Sequence, residues 1–322
     1  MIAEKVVSGE DVSLRGKIDQ FFESQQLIQQ VSSPSGTVST GGLAEPKFNI
    51  DETAFTDSWG MFKHPRCSQL LSPEINSGRP QRDGPALRAT ALIIYANWLI
   101  ANDNTSWVAQ NLWPVLKLDL DYVQNNWNRS TCVSAPSFTL RLLTYSSFDL
   151  WEEINSSSFF TTAVQHRALR EGVALAQKLG QTDVISEYND QAANLLCFQQ
   201  VRVSHTIYRL CRLPTPETYK NTAGSYFTAN TGGGRSGIDS NTILTSIHLF
   251  DPTAGCDAAT FQPCSDVALS NLKIYVDSFR SIYSINSGIA VNAAVATGRY
   301  PEDVYYGGNV SVPGPTSDRS HG

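Results

Sequence analysis

Apolar residues recur at helical spacing through most of this chain, and no long alternating pattern of the kind that makes a half-buried strand is present. Leu87, Ala91, Tyr95, Trp98 and Leu99 form one stripe of a helix that Asp83 and Pro85 begin and Asn102-Asp103 end. Trp107 to Trp127 reads as a second helical stretch with Leu112, Leu116, Leu120 and Val123 on one face, begun or kinked at Pro114. Phe160 to Leu179 is the cleanest helix. Val164, Ala168, Val173 and Ala176 share a side, and Gly180 follows as its stop. Shorter helices are predicted at about 14–31, 184–199, 240–249, 265–281 and 288–297, with ends good to roughly ±3 residues. A series of helices joined by loops that carry the chemistry predicts an all-α toroid.

Composition narrows the partners. The chain has 322 residues, 41% hydrophobic and 10% aromatic, enough for one large domain or two modest ones. Its net charge of −6 and pI near 5.4 argue against nucleic acid or an anionic membrane as partner. No apolar run reaches the roughly 20 residues that span a bilayer. Sequons begin at Asn104, Asn128, Asn155 and Asn309, and Cys256 and Cys264 bracket a short loop that a disulfide would staple. Both features fit secretion. The N-terminus, MIAEKVVSGEDVSLRGK, has no apolar core for a signal peptide, so the native start is expected to precede Met1.

Three segments carry candidate chemistry: FDLWEEINSSSFF (Phe148–Phe160), RPQRDGPALRATA (Arg79–Ala91) and GRYPEDVYY (Gly298–Tyr306). Read alone, Glu152-Glu153 is a solvated pair near a helix start, and Arg299 beside Tyr-Pro-Glu-Asp is a surface ion pair. TGGGRSG (Thr231–Gly237) lacks the Lys-Ser/Thr of a phosphate-binding loop and reads as a turn. The five histidines lack metal-ligand spacing.

Taken together, in order, the three segments resemble the catalytic half of the fungal glucoamylases, glycoside hydrolase family fifteen. The resemblance implies an (α/α)6 barrel. It also implies an inverting hydrolase that releases glucose from the non-reducing ends of starch and maltooligosaccharides, cutting α-1,4 and some α-1,6 links. Such an enzyme is secreted, needs no cofactor or metal, and works as a monomer. Glu152 matches the family's general acid. Trp59, Trp151, Arg79, Asp149, Leu150, Glu153, Asn155, Arg299, Tyr300 and Asp303 match its substrate-binding and loop positions. Asp149 is expected to tune the acid. Asn155 is either a sugar ligand or a glycan acceptor, because it opens a sequon. Cys256 and Cys264 match a complete family disulfide, while Cys197 matches a half-cystine whose partner would lie past Asn309.

The likeness covers about 9–60, 79–131, 148–200 and 220–309, so residues 1–309 are expected to hold a partial catalytic domain. The stretches 61–78, 132–147 and about 201–217 and the tail 310–322 have no counterpart. They carry Cys67, Cys132 and Cys211 and open on Gly60-Met61, Val133-Ser134, Val203-Ser204 and Val310-Ser311, dipeptides that translated intron starts would give. The expectation is that they are retained introns, that the general base follows Asn309, and that the chain as printed is inactive. Two other readings stay open: a non-catalytic carbohydrate-binding remnant, or another inverting toroid glycosidase such as a trehalase.

Overall fold

The computed structural model describes residues 2–56, 80–129, 131–132, 142–143, 147–200, 219, 221 and 226–303. Trp59, Arg79, the stretches 61–78 and 201–217, most of 132–147 and the tail 310–322 lie outside the described residues. The chain divides into two compact units, Met1–Ser147 with Val164–Leu195, and Phe148–Ala163 with Leu196–Gly322. Among the described residues no helix is long and apolar enough to cross a membrane.

The first unit holds α1 (Ile2–Val7), α2 (Arg15–Ile28), α3 (Asp83–Ala101), α4 (Trp113–Asn126), most of α5 (Phe159–Leu179) and the start of α6 (Ile185–Gln200). Its only described strands before Ser147 are the pair β1 (Thr131–Cys132) and β2 (Leu142–Leu143). Pro114 stands in the first turn of α4, where its missing N–H costs no bond. It follows a π-helical segment, Val108–Leu112, so the proline opens a new helix on the end of the old one. Leu112, Leu116, Leu120 and Val123 are fully buried, as their spacing predicts.

The stripe predicted for α3 is displaced. Tyr95 and Leu99 are buried, but the deepest row is Ala86, Ala89, Ile93 and Ala96, while Leu87, Ala91 and Trp98 are half-buried. This helix is apolar on most sides, so periodicity alone does not choose its inner face. The alanines allow α4 to approach closely. A bidentate ion pair joins the two helices: Arg88 Nη2 and Nε donate to Asp119 Oδ1 and Oδ2 at 2.6 and 3.1 Å. Arg82 and Asp83 are buried. The Arg82 N–H donates to Ser147 Oγ at 2.9 Å, and its carbonyl accepts from Gln165 at 2.9 Å.

In the second unit α7 (Ser240–His248) and α8 (Asp266–Ser278) pack together, with Asp239 and Ser265 as side-chain N-caps. Phe261 meets the rings of Phe159 and Phe227 edge-on, and those two rings lie tilted against each other. Cys256 and Cys264 form the expected disulfide. Cys197 is also disulfide-bonded. The helix predicted at 288–297 does not form. Arg280 takes the carbonyls of Ala290, Val291 and Ala293, and Asn286 bonds the carbonyls of Phe279 and Ala296 and the N–H of Ala296. Side chains thus capture backbone groups that a helix would satisfy internally.

Candidate active site

The acidic pair sits on a tight hairpin between the short strands β3 (Ser147–Phe148) and β4 (Asn155–Ser156). Asp149 builds this loop. Its N–H donates to the Ile154 carbonyl, its carbonyl accepts the Glu152 N–H at 2.9 Å, and its Oδ1 accepts the N–H groups of Glu153 and Ile154 at 2.9 and 3.2 Å. Asp149 is fully buried, and burial raises its pKa against the pull of those two backbone bonds and of Arg235. Glu152 is half-buried and has φ +61°, the left-handed region that residues other than glycine seldom occupy.

Glu153 is the most heavily bonded acid of the loop. Arg299 Nη1 forms an ion pair with its Oε1 at 2.9 Å. Tyr300 OH donates to Oε2 at 2.5 Å, and Arg235 Nη2 bonds the same oxygen. Arg299 is gripped from its other side by Asp303, Nε to Oδ2 at 2.8 Å and Nη2 to Oδ1 at 2.7 Å. These carboxylates hold the guanidinium above its usual pKa, Asp303 first through hydrogen bonding. The guanidinium also lies 5.3 Å from the Trp151 ring centroid and 5.2 Å from that of Tyr300. Arg299 hydrogen-bonds Asp303 through Nε and Nη2 and pairs with Glu153 through Nη1, so part of its five-donor fork remains for a ligand. Burial and the bond to Glu153 push the Tyr300 hydroxyl well above its ordinary range, so it stays a donor.

The predicted residues Asp149, Trp151, Glu153, Arg299, Tyr300 and Asp303 therefore meet in one connected cluster of the second unit. Leu150 and Glu152 ride on the same hairpin, as does the backbone of Asn155. Two members of the cluster were missed. Arg235 belongs to the TGGGRSG segment, which is a turn as read, yet its guanidinium stacks on Tyr300 at 3.7 Å and bonds Glu153. Gly233, at φ +100°, lets that turn press on the hairpin; a Cβ there would meet Ile154 Cγ2 at 2.6 Å. Asp239 accepts the Trp151 indole N–H, at 3.0 and 3.2 Å from its two oxygens, while capping α7 through the Asn241 N–H at 2.8 Å. The sole sequence signal for Asp239 was its place before a helix, and for Arg235 there was none.

Comparison with known proteins identifies the setting. Residues 2–63 and 72–315 match the family model described as glycosyl hydrolases family 15. The chain is 51% identical to Glucoamylase-1 of Schizophyllum commune over 308 residues, 96% of this chain and 44% of that protein. It is 41% identical to a glucoamylase of Neurospora crassa over 310 residues, 96% of this chain and 41% of that one. The solved family 15 glucoamylase from Hypocrea jecorina superposes with a TM-score of 0.75 at 45% identity, covering 95% of this chain and 43% of that structure. The chain thus spans less than half the length of these relatives, and its fold class is the all-α, (α/α)6 barrel class. By sequence and by fold, the chain belongs to glycoside hydrolase family 15.

Proposed function

We propose that the protein is a glucoamylase, hydrolysing starch and maltooligosaccharides from their non-reducing ends with inversion at the anomeric carbon. Glu152 is the general acid that protonates the leaving glycosidic oxygen. The observation that carries this reading is the next residue. Glu153 is held by Arg235, Arg299 and Tyr300 and keeps acceptor capacity on Oε1, while Arg299 keeps donors beyond those it gives Asp303. A sugar bearing vicinal hydroxyls needs that alternation of fixed acceptor and fixed donor. It would be seated one residue from Glu152, whose backbone makes the left-handed turn of the same hairpin.

In an inverting reaction the second carboxylate activates water on the far face of the ring, roughly 6.5–9.5 Å from the acid. On this reading it comes from the family segment that follows the GRYPED loop in chain order. As general acid, Glu152 gives its proton to the leaving glycosidic oxygen. Secretion belongs to the same reading, supported by the disulfide and the sequons.

The native protein is expected to release β-D-glucose from maltoheptaose, as read by anomer-resolved proton NMR in the first minutes. Glu152→Gln should lower the rate by about 10²–10⁴-fold while sugar binding persists. Release of the α anomer, or an unimpaired Glu152→Gln protein, would overturn the proposal. Saturable binding by the wild type without hydrolysis would favour the carbohydrate-binding remnant, and preference for trehalose the trehalase-like alternative.

A further inference from the structure

Glu152 lies between two anchored neighbours. On one side the Trp151 indole is tied to Asp239; on the other the Glu153 carboxylate is tied to Arg235. Both partners come from one short stretch, Arg235–Asp239, leading into α7. The stretch is itself held. The Ser236 N–H donates to Glu302 Oε1 at 2.9 Å, and the Ser240 N–H donates to the Arg299 carbonyl at 2.8 Å. Asp239 and Arg235 are therefore registered against the GRYPED loop as well as against the hairpin. Asp239 is 3% exposed, so its bond to the indole is made out of water.

We propose that Arg235 and Asp239 are positioning residues for the general acid, a two-point clamp that holds the Trp151–Glu153 backbone and so fixes where the Glu152 carboxyl stands. The proposal rests on reading Glu152 as the acid. Its physical basis is the left-handed backbone of Glu152. Such a conformation persists only where the surroundings over-determine it. Release of either flank lets the residue fall into ordinary helical or extended basins and carries the carboxyl off line. A carboxyl displaced by about 1 Å would cost as much as 10²-fold in rate.

Three substitutions separate the clamp from simple loss of fold. Asp239→Ser keeps a good N-cap for α7 but is too short to reach the indole. Asp239→Asn keeps both the cap and the indole acceptor. Arg235→Lys keeps the charge and loses the fork that bonds Glu153 while lying on Tyr300. We expect kcat on maltoheptaose to fall about 10- to 100-fold in Asp239→Ser and Arg235→Lys. KM should stay within about threefold in Asp239→Ser, and Asp239→Asn should return most of the rate.

In parallel, the indole N–H proton resonance of Trp151, assigned with Trp151→Phe, should move upfield in Asp239→Ser and stay put in Asp239→Asn. An unmoved indole signal in Asp239→Ser, or wild-type kcat in both Asp239→Ser and Arg235→Lys, would overturn the clamp. A wild-type protein that binds maltooligosaccharide but releases no glucose would sink the hydrolase reading instead. The indole signal would still decide whether Asp239 holds Trp151.

Discussion

On the proposed assignment, Glu152 concentrates the conflict between folding and function in one residue. Its φ of +61° places a Cβ where glycine would rest without strain, at a cost of about 1–2 kcal/mol. On the proposed function Glu152→Gly abolishes hydrolysis, while relief of its backbone by itself raises stability by about 0.5–1 kcal/mol, after the extra entropy of a glycine in the unfolded chain is offset. Thermal unfolding of the two proteins side by side checks this, and a less stable Glu152→Gly protein would contradict it. Asp149 shows the opposite economy. It is fully buried, and it spends its side chain on two backbone N–H groups of its own loop. Its first effect is thus on the shape of the hairpin that carries Glu152 and Glu153.

At the scale of elements, caps and side-chain captures decide where helices begin and fail. Ser265 accepts the Ala268 N–H and starts α8, whose buried Ala268, Asn271 and Tyr275 face the second unit's core. Asn271 also bonds both the N–H and the carbonyl of Phe227, at 3.0 and 2.7 Å, so the register of α8 matters to the aromatic cluster. Ser265→Ala should cost about 1 kcal/mol, measured as a lower denaturant midpoint at unchanged slope. The same competition between side chain and backbone removes the helix expected at 288–297. Arg280 and Asn286 hold that segment open, and the extended run through Ala296 then delivers Arg299 and Tyr300 to the hairpin.

For the whole molecule, two buried titrating groups push stability in opposite directions with pH. His166, 7% exposed on α5, has its pKa lowered from 6.5 to about 4 by burial and then by Arg170. The unfolded chain binds its proton first, so this contribution is present above pH 6.5 and is lost as pH falls toward 4. Asp239 has its pKa raised from 3.8 to about 7, chiefly by burial and also by Asp149, against the bonds from Asn241 and Trp151 and the charge of Arg235. There the folded chain binds the proton more tightly, so the contribution is complete below pH 4 and is lost as pH rises toward 7. Asp239→Asn should therefore gain stability relative to wild type across pH 4 to 7, by at most ~4 kcal/mol. His166→Gln should flatten the acid limb below pH 6.5. Melting temperatures of the three proteins across that range test both signs, and parallel profiles would refute them.

The sequence by itself determined the elements whose signals are local and the chemistry that lies in contiguous words. Pro114, Gly180 and the Leu112–Val123 spacing placed helix starts, stops and faces, because caps and one-sided periodicity act within a few residues. The hairpin acids and the Arg299 loop were legible because their residue types occur together in unbroken segments. Tertiary structure alone decided the rest. It chose the inner face of α3, apolar on most sides, by which neighbour packs on it. It dissolved the 288–297 helix through Arg280 and Asn286. It brought Arg235 and Asp239 to Glu153 and Trp151 across more than eighty residues of chain. An ion pair or an indole hydrogen bond across that separation leaves no trace in local composition, since only the folded backbone brings its two ends within 3 Å.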